Sequence, residues 1–88
     1  MLNRMYQTKF VKDLERTKKR GYDLTKLSAV INLLLEEEIL PAKYKNHKLQ
    51  GNYKDCWECH IEPDWLLIYV KTKTEIIFAR TGTHSDLF

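Results

Sequence analysis

Three histidines and one aspartate are the residues of this sequence best suited to proton transfer: His47, His60, His84 and Asp64. Histidine titrates near neutral pH and can therefore give or take a proton under physiological conditions. A neighbouring carboxylate can orient the ring or act as a further acid or base. These residue types predict acid–base catalysis if the fold brings together the loop, the turn and the tail that carry them.

Cleavage of RNA without a metal ion is one reaction that such a set can perform. It needs a base that takes the ribose 2′ proton, an acid that protonates the leaving 5′ oxygen, and a cation that stabilises the phosphate. Arg80 is the candidate cation, because a guanidinium matches phosphate oxygens. Each residue also has an ordinary interpretation, since a single histidine is more often structural or exposed, and Arg80 can pair with a glutamate.

A β-hairpin over residues 55–70 would hold His60 close to Asp64. Its first half alternates, which gives one apolar face and one titratable face. The apolar face carries Trp57, Cys59 and Ile61, and the other face carries Cys56, Glu58 and His60. Pro63 favours a turn, and the continuous apolar run that follows it is typical of a central buried strand.

Local patterns also predict the elements before this hairpin. A short strand at residues 5–8 precedes an amphipathic helix, which Gly21 ends. Asp23 caps a second, more apolar helix that runs to about Glu38. Three consecutive glutamates lie at the negative end of this helix dipole, so we expect fraying or a basic neighbour there.

Alternation in a last strand, residues 75–81, places Arg80 on one face with Ile76 and Phe78. Together the patterns predict an α+β fold with a short N-terminal strand, a two-helix antiparallel hairpin and a three-stranded antiparallel sheet. The helices pack on one face of this sheet. The opposite face is expected to be concave or open and to collect the candidate residues.

The composition fits one small soluble domain over residues 1–88. Apolar residues make up 43% of the chain and charged residues 31%, as in ordinary globular proteins. No apolar run approaches the roughly 20 residues of a membrane helix, and the N-terminus has no apolar core of a secretion signal. We therefore expect a cytoplasmic protein without membrane contact.

Positive charge is concentrated in two segments, although the net charge is only +3. Residues 4–26 hold eight Lys or Arg against three acids, and residues 43–54 hold four lysines and no acid. The second segment is a long loop, in which Lys45, Lys48 and Lys54 would contact phosphates beside tyrosines on which bases can stack. The plain alternative is that neither segment binds a partner: the first would be an ordinary solvated helix face, and the second an ordinary solvated connection.

The two cysteines form a Cys-x-x-Cys-His pattern with His60, which is shared with haem-attachment, redox and zinc sites. Residues three apart on a strand point to opposite faces, so these thiols cannot jointly bind a metal or close a disulfide. Haem attachment would also need export, for which no signal is visible. We expect free thiols, with Cys59 in the core and Cys56 on the open face, and neither metal nor cofactor.

Three blocks of the sequence resemble the YafQ family of the RelE/ParE superfamily, whose members are bacterial type II toxins that act as mRNA interferases. The blocks are His47-x-Leu49-x-Gly51, Glu58-x-His60-Ile61-x-Pro63-Asp64-Trp65-Leu66-Leu67-Ile68-Tyr69 and Arg80-Thr81-Gly82-Thr83-His84-Ser85-x-Leu87-Phe88. The resemblance runs from about Tyr6 to Phe88 and keeps the spacing of the blocks. It implies a single RelE-like toxin domain.

This resemblance also implies roles for individual residues. The catalytic ones are His47, His60, Asp64 and His84. Those expected to contact substrate, beside the three loop lysines, are Arg80 on phosphate, Trp65 and Phe88 around a base, and Glu58. We expect Phe88 to pack beside Trp65 and so to hold the segment of His84 in place. The pair Cys56-Trp57 stands where relatives commonly carry an arginine, so a contact with phosphate or ribosomal RNA is expected to be lost or moved.

The resemblance further implies a ribosome-dependent endoribonuclease that cleaves mRNA in the ribosomal A site, contacts ribosomal RNA, and is neutralised by a cognate antitoxin. Two alternatives share the fold. One is a non-catalytic module that binds antitoxin or nucleic acid, and the other is a ParE-like protein that acts on gyrase. The retained histidines and aspartate favour the nuclease, because a gyrase-binding relative has no need of them.

Overall fold

Two helices pack on one face of a five-stranded sheet in the computed structural model, which describes residues 1–88. The strands are β1 (Asn3–Tyr6), β2 (His47–Lys48), β3 (Trp57–Glu62), β4 (Trp65–Lys71) and β5 (Glu75–Gly82). The helices are α1 (Thr8–Lys19), α2 (Leu24–Leu35) and a short C-terminal α3 (His84–Leu87). Two single-turn 3-10 helices flank β2 within the long loop, at Ala42–Tyr44 and Gly51–Tyr53.

The strand order across the sheet is β1-β5-β4-β3-β2, with β1 parallel to β5 and all other neighbours antiparallel. The predicted α+β fold, with a short first strand and a helical hairpin before the sheet, is confirmed. The sheet is wider than the three strands predicted, because β1 and the two-residue β2 each extend one edge. β1 also lies two residues earlier than predicted, since α1 already begins at Thr8.

Local signals set the ends of the two long helices. Gly21 follows α1 with a φ of +81°, a left-handed conformation that glycine adopts without strain. The Asp23 side chain accepts a hydrogen bond from an amide of the first turn of α2, as a helix cap does. The helix ends before the predicted Glu38. The expected basic neighbour is present, because Lys71 Nζ lies 3.7 Å from Glu37 Oε1.

The main hydrophobic core lies between the two long helices and the sheet. Its largest fully buried members include Phe10 from α1, Val30 from α2, and Trp65 and Phe78 from the sheet. Burying an aromatic side chain of this kind contributes about 1.5–3 kcal/mol. No helix of the fold is long and apolar enough to cross a membrane.

The opposite face of the sheet, which was expected to be concave or open, is partly covered. A second buried cluster lies there, formed by Leu66, Ile68, Ala79 and Leu87. Leu49, Tyr53 and Cys56 from the long loop pack against it. Cys59 lies in the main core, so the two thiols are on opposite sides of the sheet and both are free, as strand parity predicted.

A β-bulge in β5 changes the direction of Arg80. Ile68 of β4 pairs with Arg80, but Tyr69 pairs with Phe78, so Ala79 is an extra residue in β5. A bulge of this kind reverses the alternation of side chains beyond it. Arg80 therefore lies on the same face of the sheet as Ile68, and Glu58, which pairs with Ile68 from the other side, also lies on this face. The prediction that Arg80 shares the face of Phe78 was wrong.

Candidate active site

The three histidine rings lie in a row, although they come from distant parts of the chain. His47 belongs to β2, His60 to β3, and His84 is the first residue of α3. The ring centroids of His47 and His60 are 6.2 Å apart, and those of His60 and His84 are 5.8 Å apart. The pairing of β2 with β3 places His47 directly opposite Glu58, two residues before His60. The structure thus brings all three rings together.

A buried carboxylate supports the first two histidines of the row. The Glu58 side chain is 6% exposed, and its Oε1 lies 3.4 Å from Nε2 of both His47 and His60. Nδ1 of His47 donates a hydrogen bond to the Lys45 carbonyl oxygen at 2.7 Å. Both nitrogens of this ring thus lie near oxygen atoms, one of the backbone and one of Glu58. Glu58, which was expected to contact substrate, is buried and lies beside the rings of His47 and His60.

Asp64 and His84 form the second pair of the site. Asp64 Oδ1 accepts a hydrogen bond from the His84 backbone N–H at 2.9 Å and lies 2.5 Å from the ring Nδ1. The backbone bond and then the ring bond lower the pKa of Asp64 below its ordinary value. Because Nδ1 faces Asp64, Nε2 is the nitrogen left to exchange a proton with a substrate. Both side chains are more than half exposed, so a large ligand can reach them.

A capping box and two arginines fix the short helix that carries His84. Thr83 and Asp86 bond reciprocally at the start of α3. Asp86 also accepts hydrogen bonds from Arg20 Nη1 at 2.7 Å and Nη2 at 3.2 Å, and Arg16 Nη2 lies 3.7 Å away. The bond to Arg20 is the largest cause that lowers the pKa of Asp86. Such a short helix is not stable alone, so these contacts with α1 hold it.

Arg80 is held by a buried aspartate of α1. Its Nε and Nη2 donate to Asp13 Oδ2 at 2.6 Å and Oδ1 at 3.0 Å. Asp13 also accepts from Arg16 Nη2 at 2.9 Å and from the Thr81 backbone N–H at 3.2 Å. Hydrogen bonding to Asp13 raises the pKa of Arg80, which keeps it a cation. Its Nη1 makes no bond to Asp13, so this nitrogen is the one with which Arg80 would reach a phosphate.

The residues of α1 and its C-terminal cap that organise the site were not among the candidates predicted from the sequence. Asp13 and Arg16 of α1, and Arg20 that caps its C-terminus, lie at spacings of three and four, so they are on one side of the helix. Asp13 is 3% exposed, which is rare for an aspartate without a charged partner. The spacing was visible in the sequence. What the sequence lacked was any sign that this face meets β5 and α3.

Trp65 and Phe88 lie apart from each other, which corrects the expected contact between them. Trp65 is 1% exposed in the main core, and its indole N–H donates to Thr81 Oγ1 at 3.0 Å. It therefore cannot stack on a base in this conformation. Phe88 is 64% exposed and packs edge-on against Tyr53, with ring centroids 5.4 Å apart. An exposed ring of this kind remains available to a ligand.

The three predicted substrate lysines, Lys45, Lys48 and Lys54, are all exposed. Lys45 lines a cavity whose wall also includes His60. No group of three or more His, Cys, Asp or Glu side chains is arranged to hold a metal ion. The arrangement offers two carboxylate-supported histidine sites for proton transfer, beside cationic side chains that can bind phosphate.

Comparison with known proteins gives a consistent result. The family described as bacterial toxin of type II toxin–antitoxin system, YafQ, matches residues 2–88. The mRNA interferase toxin YafQ of Escherichia coli (strain K12) is 44% identical over 84 residues, which cover 94% of this chain and 91% of that protein. The crystal structure of YafQ from E. coli strain BL21(DE3) superposes with a TM-score of 0.95 at 40% identity, covering 100% of this chain and 99% of the other.

A structure of YafQ bound to a partner is equally similar. A chain of the E. coli DinJ–YafQ complex superposes with a TM-score of 0.93 at 42% identity, covering 100% of this chain and 99% of that one. The match therefore extends over the whole domain in both sequence and structure. The chain belongs to the YafQ family of bacterial toxins of type II toxin–antitoxin systems.

Proposed function

We propose that this toxin is an mRNA interferase, an endoribonuclease that cleaves translated mRNA by acid–base catalysis. The observation that carries the proposal is the row of three histidines with a carboxylate at each end, Glu58 under His47 and His60 and Asp64 beside His84. The similarity to a relative named as an mRNA interferase supports it.

The row suits a reaction in which two protons move at two places. The ribose 2′ oxygen attacks the neighbouring phosphorus while a base takes its proton, and the bond to the 5′ oxygen breaks as an acid protonates that oxygen. The Asp64–His84 pair serves one of these transfers, and the two histidines on Glu58 serve the other. Arg80 stabilises the charge that builds on the phosphate, through the nitrogen that Asp13 leaves unbonded.

The ribosome is the proposed setting of the reaction, with mRNA in the A site and with ribosomal RNA as a contact. The exposed lysines Lys45, Lys48 and Lys54 lie on the long loop that also carries His47. Lysines in such numbers bind RNA backbones through phosphate contacts, so the affinity falls steeply with salt. A protein that works on ribosomes acts in the cytoplasm.

The proposed protein partner is an acidic antitoxin encoded beside the toxin. The charge on residues 4–26, eight Lys or Arg against three acids, favours such a partner. An apolar groove of about 210 Å³ lies between α1 and α2 in the same region, and Tyr6 and Val11 on its rim are each 45% exposed. An amphipathic segment that folds on binding would fill it. Co-expression with the adjacent reading frame should restore growth and yield a complex that co-purifies.

Primer extension on an mRNA translated in vitro tests the enzymatic proposal. We expect truncated products with the protein and none with His84→Ala, and only while the message is translated. Equal cleavage of naked RNA would remove the ribosome from the account. If the ribosome-bound message stays intact although the purified protein is folded, the chain is a non-catalytic binding module or acts on another target such as gyrase.

A further inference from the structure

A cavity of about 620 Å³ adjoins the histidine row, and its lining includes His60 but neither His84 nor Asp64. It lies between the first turns of α2, the 3-10 turn before β2, and the β3–β4 hairpin. The polar and aromatic residues that line it are Thr25, Lys26, Lys43, Tyr44, Lys45, His60 and Glu62. It exists because β2 pairs with β3 only at Trp57 and Glu58, so the outer edge of β3 has no neighbouring strand beyond that point.

The charge of the cavity favours an anionic ligand. Lys26, Lys43 and Lys45 contribute three positive charges to its lining, and Glu62 contributes one negative charge. Lys26 Nζ lies 3.6 Å from Glu62 Oε1, and both side chains are about half exposed. An exposed ion pair of this kind is worth little, so Lys26 can turn to a phosphate at low cost. Lys43 is the second exposed cation of the lining, with its Nζ 5.1 Å from the centre of the Tyr44 ring.

The remaining walls suit a planar ring. Tyr44, Ile61 and Pro63 supply aromatic and apolar surface beside the lysines. The volume falls within the range of about 300–1,000 Å³ that is usual for small-ligand sites. A base with its phosphate needs this combination of flat apolar surface and nearby cations.

Two contacts connect the cavity to the catalytic row. His60 is part of both, because its ring is the middle one of the row and also lines the cavity. Lys45 also lines the cavity, and its carbonyl oxygen accepts the hydrogen bond from His47 Nδ1. A chain that passes through the row can therefore continue directly into the cavity.

We propose that this cavity binds the nucleotide of the RNA next to the scissile phosphate. Its phosphate would lie near Lys26 and Lys43, and its base would lie against Tyr44. This inference rests on the proposed nuclease function. It adds a substrate subsite, which determines on which side of the cleaved bond the protein binds the RNA. An acidic segment of the antitoxin is the competing occupant, but the shared His60 and the aromatic wall favour RNA.

The test combines changes in the protein with changes in the message. Single-turnover cleavage of ribosome-bound mRNA is measured with a neutral methylphosphonate at the linkage on either side of the cleavage site. The protein variant is Lys26→Ala with Lys43→Ala. The matched control is Lys19→Ala with Lys73→Ala, which removes the same charge from exposed positions outside the cavity lining.

We expect each single change, in the lysines or in the linkage on the cavity side, to slow cleavage about five- to tenfold. Combined, they should slow it hardly more than either alone, because both remove the same contact. The control variant should remain fully sensitive to the neutral linkage. An abasic nucleotide combined with Tyr44→Leu should behave in the same non-additive way, with a loss of about tenfold for one base contact.

Three results would overturn the inference. If the lysine variant and the neutral linkage slow cleavage by independent factors that multiply, at both linkages, then the lysines do not touch the neighbouring phosphate. Weaker antitoxin binding by the lysine variant, with normal cleavage, would assign the cavity to the antitoxin. If the unaltered protein cleaves no ribosome-bound mRNA, the proposed nuclease function fails together with the subsite. Melting temperatures of all variants separate these results from a loss of folding.

Discussion

Replacing Asp13 with alanine is expected to destabilise the fold more than any exposed substitution on α1. The carboxylate accepts four hydrogen bonds, two from Arg80, one from Arg16 and one from the Thr81 backbone N–H. Its loss leaves the Arg80 charge and a buried amide without that partner. Removing one member of a buried ion pair costs about 3–5 kcal/mol. We expect about 3 kcal/mol, the lower end, because the Arg80 side chain is 19% exposed and keeps part of its hydration.

This loss should be plain in thermal unfolding. A domain of this size loses about 4–8 °C in melting temperature for each kcal/mol, so the expected drop is about 12 °C or more. Glu15→Ala is the matched control, since it removes an exposed acid from the same helix and should change stability by less than about 0.5 kcal/mol. Where the Asp13 variant is still folded, cleavage should fall at least about tenfold, because Arg80 is no longer fixed.

A double-mutant cycle with Arg80→Ala gives the decisive value. If the two residues form one unit, the double variant should be about as stable as either single variant, because each single change already breaks the pair. Urea unfolding of the four proteins provides the free energies. Additive losses, with a coupling free energy below about 0.5 kcal/mol, would refute the reasoning that Asp13 positions Arg80.

Four further predictions concern the tail and the thiols. Asp86→Asn should destabilise the protein near neutral pH. This deficit in the free energy of unfolding should shrink as the pH falls below 3.8, the ordinary pKa of aspartate. A carboxylate whose pKa is lowered in the folded state stabilises the fold above its ordinary pKa and loses this effect as the pH falls toward the lowered pKa. Urea titrations from pH 7 to pH 3 test this. Burial raises the pKa of the Cys59 thiol to about 12, so a thiol reagent should modify Cys56 well before Cys59, as peptide mass mapping would show. Deleting Phe88 should leave the melting temperature almost unchanged, because the ring is 64% exposed, and should slow cleavage about tenfold if the ring stacks on a base. His84→Ala should cost about 10²-fold or more in single-turnover rate, as expected for a lost acid or base.

The features that could be predicted from the sequence are those that short-range chemistry decides. Gly21 and Asp23 mark helix ends through their own backbone preferences and hydrogen bonds. Parity along β3 placed Cys59 in the core and turned His60 to the other face, since alternation needs no knowledge of the partner strand. The proximity of the three histidines could be predicted only from the order of the strands taken together with the family resemblance.

The features that could not be predicted depend on contacts between distant residues. The extra residue Ala79 is visible only in the register between β4 and β5, so alternation placed Arg80 on the wrong face. Trp65 is buried in the main core, and its indole donates to Thr81 of β5, which is sixteen residues away in the chain. Asp13 looked like any charged residue of a basic helix, because its partners lie almost seventy residues away in the chain.

The pH dependence of single-turnover cleavage of ribosome-bound mRNA tests the central claim most directly. If the histidine row supplies both a base and an acid, the rate should follow a bell-shaped profile, because each limb reports one of the two groups. His84→Ala should lower the maximum and abolish one limb, while the variant in the other pair, His60→Ala, should alter the remaining one. A profile that keeps both limbs in His84→Ala, or a rate that does not change with pH, would contradict the account.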